Sequence, residues 1–164
     1  DPNDTSGYKR ITNIIDRQGN VKMSLEDMNY DDSSAKYGVY AINGKLYNLE
    51  LEPISEDNIA INGSGKEGYY IYNKGNQIGI INALGESVYE SDEKFSFDIM
   101  ENSGTEVYAE ITVEKNNHKT KSILNLLNGK IIYKLEERET VDKRDFGCYT
   151  INNEEEKVKK VKER

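Results

Sequence analysis

The chain has 164 residues and a formal charge of −8, and 35% of its residues are apolar, against about 45–50% in ordinary soluble domains. Such a length holds one core or a piece of a longer repeat array, and the negative balance disfavours nucleic acid phosphates and anionic membrane surfaces as partners. No apolar run approaches the ~20 residues of a membrane helix, and the single cysteine, Cys148, excludes an internal disulfide.

Residues 1–10 read as a flexible lead, with Asp1 to Gly7 almost wholly polar. Such a lead suits a spacer behind a removed signal or lipid anchor, so the expected place is extracytoplasmic or at the cell surface. Residues 11–151 read as one domain of β-repeats. Ile11 to Met23 forms a first hairpin turned at Arg17-Gln18-Gly19-Asn20. Ser24 to Ser34 is expected to be a polar loop with at most one helical turn, because Leu25 and Met28 are three apart among Asp and Asn. Tyr37 to Leu51 is a second hairpin. Its Asn43-Gly44 pair suits a two-residue turn that needs positive φ at both positions. Pro53, which has no N–H to donate, is expected to end that strand.

Two four-stranded units follow, from Ile59 to Glu90 and from Phe95 to Leu135. In the first, two short strands are joined by the glycine-rich segment Asn62 to Gly68, read as a long loop. Phe95 to Ile99 and Val107 to Val113 alternate apolar and polar residues, the period of a strand. The closing turns of the two units, at Gly85 and Gly129, lie 44 residues apart, within the ~40–50 residue repeat of propeller blades. A charged stretch then leads to Arg144. Phe146 to Ile151 reads as the first strand of another unit, and residues 152–164 as a charged tail. The fold expected is all-β, of repeated antiparallel meanders, propeller-like and either closed or partial. Joining the first hairpin to the last strands would close a small ring. The alternatives are an open stack of sheets or a fragment of a longer array.

Candidate chemistry is sparse. Gly63-Ser64-Gly65-Lys66-Glu67-Gly68 matches G-x-G-x-x-G, but Tyr69-Tyr70-Ile71-Tyr72 follows it, a strand rather than the helix that would hold a pyrophosphate. Asp27 to Asp31 opens like a calcium loop but has Asp32 and Gly38 where the loop needs Gly and Glu. Carboxylate pairs such as Glu50 with Glu52 are common, and none is singled out as an acid/base couple. The lone His118 sits in a polar turn. Cys148 is expected to be a buried or inert thiol. No catalytic residue, metal site or cofactor is assigned. The densest aromatic group is Tyr37, Tyr40, Tyr69, Tyr70 and Tyr72. Strand alternation should turn at least one of the last three away from the core, where a ring can stack on a sugar or anchor a protein.

The pattern of Ile78-Gly79-Ile80-Ile81-Asn82 to Gly85, and of Tyr37-Gly38-Val39-Tyr40-Ala41-Ile42-Asn43-Gly44, resembles the bacterial WG (KWG) repeats, with Ile78 and Tyr37 standing where that family has Trp. The likeness spans most of the chain from Ile11 to Ile151. It implies a surface or periplasmic binding module and brings no catalytic residues with it. The function expected is therefore non-enzymatic binding of a protein or glycan through loops and exposed Tyr. A hydrolase of envelope polymers and an assembly subunit pairing through β-edges are the alternatives. Gly44→Val is expected to destabilise more than Gly65→Val, since a two-residue turn fixes register and a long loop relaxes.

Overall fold

A computed structural model describes residues 9–144 and 147–154. The lead Asp1–Gly7, Phe146 and the tail beyond residue 154 lie outside the described residues. The regular structure among them is β-strand, apart from one turn of 3-10 helix at Ala35–Tyr37. The chain divides into two compact units, Asp1–Glu90 and Ser91–Arg164.

The first unit opens with a two-stranded sheet, β1 (Ile11–Ile15) and β2 (Val21–Glu26). Next comes a three-stranded sheet of β3 (Tyr30–Asp31), β4 (Tyr40–Ile42) and β5 (Lys45–Tyr47). A four-stranded meander completes it: β6 (Ala60–Lys66), β7 (Tyr69–Lys74), β8 (Gln77–Ile81) and β9 (Ser87–Ser91). In the second unit, β10 (Phe95–Asn102), β11 (Val107–Lys115), β12 (His118–Asn125) and β13 (Lys130–Leu135) form another four-stranded meander. A hairpin of β14 (Glu139–Arg144) and β15 (Cys148–Asn153) follows. The two four-stranded units expected from the alternation are thus present, each built of sequence neighbours.

One turn geometry recurs. Asp16, Asn48 and Asn82 each open a five-residue turn. Each accepts, at a side-chain oxygen, the backbone N–H two residues on and four residues on, at 2.9–3.0 Å. In each, the first residue's N–H donates to the fifth residue's carbonyl, and the fourth residue's N–H donates back to the first residue's carbonyl. The fourth residue has positive φ in all three: Gly19 at 89°, Leu51 at 62° and Gly85 at 82°. Such short polar side chains trade hydrogen bonds with their own backbone, and so fix the turn. Asn43-Gly44 (φ 47° and 78°) and Glu67-Gly68 (φ 50° and 91°) are two-residue turns with both φ positive. Gly68 therefore closes a tight hairpin. The segment from Asn62 is not a long loop: β6 continues through Gly65 to Lys66, with its register broken between Asn62 and Lys66.

Three further segments differ from expectation. Ser24 does not begin a loop. Met23 and Leu25, two apart and half-buried, carry β2 on to Glu26, and the helical turn forms later, where Gly38 at φ 90° closes it. Pro53 does not end the strand: β5 stops at Tyr47, where the turn opened by Asn48 begins. The chain nevertheless returns beside β5 through an isolated Tyr47–Pro53 bridge, an Ile54 N–H to Leu46 carbonyl bond of 2.9 Å, and the buried Ser55 hydroxyl, which accepts the Leu46 N–H at 3.0 Å. The charged stretch before Arg144 is strand β14, paired residue by residue with β15.

The core of the first unit joins two sheets: Val39, Ala41 and Leu46 meet Tyr70, Tyr72 and Ile81. Its large rings need bare backbone beneath them. A Cβ on Gly79 would lie 2.5 Å from the ring of Tyr72, its direct partner across β7 and β8. A Cβ on Gly65 would lie 2.5 Å from Cζ of Tyr70. Both units also tie one sheet to the sheet before it by the same bond. The Tyr70 hydroxyl, on the second strand of its sheet, donates to Asp31 on the first strand of the preceding sheet at 2.8 Å. In the second unit the Tyr149 hydroxyl, on β15, donates to Glu101 on β10 at 2.8 Å, and the ring meets Tyr108 edge-on at 5.7 Å.

Candidate functional site

The five tyrosines are not brought together. Tyr69, Tyr70 and Tyr72 are all buried, and the exposed ring expected among them is absent. Tyr70 and Tyr72 share the row that meets the preceding sheet; Tyr69, on the other row, is buried too, although its neighbours Ile71 and Asn73 are only half-buried. Burial pushes the pKa of all three phenols above the ordinary value; for Tyr70 the Asp31 carboxylate adds to it. The Tyr72 hydroxyl is held by Ser87 at 2.5 Å and by Glu90 at 3.4 Å. Tyr37 lies against the β6–β7 turn: its hydroxyl donates to Glu67 at 3.4 Å, and Lys36 sits 5.2 Å from its ring centre.

Tyr40 reaches a concave surface. It lines a groove of about 610 Å³ between the β1–β2 hairpin and the β3–β5 sheet. The second aromatic wall, Tyr30 on β3, is 54% exposed. Ile14 and Ile15 of β1 form one side, and Leu49 and Leu51 of the repeated turn form the other. The rim is acidic. Asp16 is already locked by the Gln18 and Asn20 N–H groups, and bonds from Asn20, backbone then side chain, hold its carboxyl below the ordinary range. The Asp32 and Glu50 side chains make no hydrogen bond or ion pair among the described residues and remain available to a ligand.

Leu51 distinguishes this groove. It occupies the fourth position of a turn whose two equivalents, Gly19 and Gly85, are glycine, and it holds φ 62°. A side chain in the left-handed region costs on the order of 1–2 kcal/mol relative to glycine. Here that side chain is half-buried in the groove wall. Sequence reasoning missed Tyr30, Leu49 and Leu51. The signal was present, since Asn48-Leu49-Glu50-Leu51-Glu52 aligns with Asn82-Ala83-Leu84-Gly85-Glu86 as a turn lacking its glycine.

A larger cleft of about 1000 Å³ in the second unit is lined by His118, Lys119, Lys121, Arg138 and several glutamates, with no aromatic side chain. Its charges are of both signs and Leu135 is the aliphatic side chain on its lining, against Ile14, Ile15, Ile42, Leu49 and Leu51 on the groove, so the groove has the better chemistry for holding an apolar ligand. Cys148 proves exposed at the head of β15 rather than buried. No helix among the described residues is long and apolar enough to cross a membrane. Comparison with protein-family models, curated proteins and solved structures finds no match to this chain.

Proposed function

We propose that this chain is a binding module without catalytic activity, and that the groove between β1–β2 and β3–β5 takes an apolar side chain from a protein segment with basic flanks. Leu51 carries this: a strained residue is kept where glycine would relax the turn, and its side chain forms a ligand wall. Aliphatic walls from Ile14, Ile15, Leu49 and Leu51 favour a protein over a glycan, because sugar hydroxyls set against them would lose hydrogen bonds. Tyr30 and Tyr40 supply rigid anchoring surface, and Asp32 with Glu50 favour a cationic flank.

The test is Leu51→Gly, read with a fluorescent hexapeptide that carries a central Phe between lysines. Melting temperature is expected to hold or rise, while affinity falls about tenfold, the size of effect of losing one apolar wall. Unchanged affinity, or no saturable binding by the unsubstituted protein, overturns the groove as the site.

With this we propose a propeller-like arrangement of the successive sheets and a place outside the cytoplasm for a bacterial protein, in keeping with the resemblance to the WG repeats. The recurring turns at Asp16, Asn48 and Asn82 support a repeat of one unit. Deleting residues 146–164 tests ring closure: closure predicts an aggregating product, and an unchanged melting temperature with monomeric elution refutes it.

A further inference from the structure

The fourth strands of the two meanders differ in character. β9 reads Ser-Val-Tyr-Glu-Ser, with Val88 and Tyr89 half-buried. β13 reads Lys-Ile-Ile-Tyr-Lys-Leu and is exposed from Lys130 through Lys134. Ile131 is 42% exposed and Ile132 is 49% exposed. β13 pairs with β12 alone, so among the described residues its other edge offers backbone N–H and C=O groups to no strand. Isoleucine and tyrosine favour pleated structure, and an open edge of that composition is a template for an added strand.

The occupant follows from charge and register. Two copies paired along this edge would bring four lysines to one seam, and that gathering of like charge disfavours a second copy. Ile132 is also the extra residue of a bulge, since the pairing steps from Leu124–Ile131 to Ile123–Tyr133. A bulge twists its strand, which further disfavours a second copy of the same edge. Neither lysine makes an ion pair among the described residues. Their partners on β12, Asn125 and Ser122, are three residues apart, so the bulge places one lysine on each face of the strand.

We propose that the free edge of β13 is a strand-addition site for an extended protein segment with an acidic residue at each end and β-branched residues between. Main-chain bonds along the edge supply the affinity, and Lys130 with Lys134 select the acidic ends. This surface lies in the second unit and does not depend on the groove.

The experiment uses fluorescein-labelled Glu-Val-Thr-Glu, whose two acidic residues, three apart, point to opposite faces of a strand as the lysines do, its Lys-Val-Thr-Lys counterpart, and the acidic peptide N-methylated at alternate amides, by anisotropy at about 50 mM salt. The acidic peptide is expected to bind at least about tenfold tighter than the other two. Lys130→Glu with Lys134→Glu is expected to remove about tenfold of that affinity without moving the melting temperature, both side chains being exposed. Should that variant not fold, Lys130→Gln with Lys134→Gln reads a loss of about threefold. Binding that survives N-methylation, equal binding of the lysine peptide, or no saturation by about 1 mM overturns the proposal. So does dimeric elution that Ile132→Lys abolishes, since a second copy would then hold the edge.

Discussion

Replacing Gly65 by valine is expected to destabilise the first unit by about 3–5 kcal/mol, against about 1–2 kcal/mol for Gly44→Val. This reverses the order expected from the sequence. Gly65 is in strand β6, and a Cβ there would lie 2.5 Å from Cζ of Tyr70 and 2.7 Å from its hydroxyl oxygen, with the Ser34 hydroxyl also in the way. Neither neighbour has room to move. Tyr70 is fully buried with its hydroxyl on Asp31, and the buried Ser34 accepts the Gly68 N–H at 2.9 Å. Gly44 has a different difficulty: φ is 78°, but the nearest atom to an added Cβ is the Ile61 carbonyl oxygen at 3.9 Å. Its cost is that of a β-branched residue in the left-handed region, with little added by collision. Urea midpoints of the two variants measure the order. Equal losses, or a larger loss at Gly44, would refute the packing of Tyr70 on β6. Trimming Tyr70 to leucine in the Gly65→Ala background should recover part of the loss, as expected of two sites in contact.

The sequence carried the sheets and lost the site for identifiable reasons. Asn43-Gly44, and the glycines at 85 and 129, mark turns by local backbone chemistry, so the meanders from Ala60 and from Phe95 were legible. Local rules also misled. Gly63 to Gly68 has the composition of a loop, but Gly65 is glycine because a tyrosine ring lies on it, and that contact spans two strands. Tyr69, Tyr70 and Tyr72 alternate as if one face met water, yet Tyr69 is buried along with the two that meet the preceding sheet. The charged residues of β14 hide a strand because its partner, not its composition, holds it. Tyr30 and Leu51 are joined only through the fold. Leu51 is conspicuous once the turn at Asn48 is superposed on those at Asp16 and Asn82.

Asp31→Asn is expected to cost about 2 kcal/mol at neutral pH and to flatten the acid limb of the stability curve. One carboxylate gathers four donors: the Tyr70 hydroxyl at 2.8 Å, the Gly65 N–H at 2.9 Å, and the hydroxyl and N–H of Ser33 at 2.8 and 3.2 Å. Burial by itself raises the pKa of Asp31, but the bonds from Gly65, Tyr70 and Ser33 outweigh it and hold the carboxyl below its ordinary value of 3.8. A group with a depressed folded value binds protons more weakly in the native state than in the unfolded one. Its contribution is therefore fully present above about 3.8 and is lost as pH falls from there through the folded value. Asparagine keeps one acceptor oxygen for Tyr70 and sets an amide against the Gly65 N–H, so its cost is immediate and does not titrate. Urea unfolding of both proteins between about pH 7 and about pH 2 separates the two. Asp16 and Asp57, also held low, titrate alike in both proteins, so the difference between the curves isolates Asp31. That difference should be constant at neutral pH and shrink in acid. A gap that stays constant to the acid end would show that Asp31 does not hold the two sheets together through its charge.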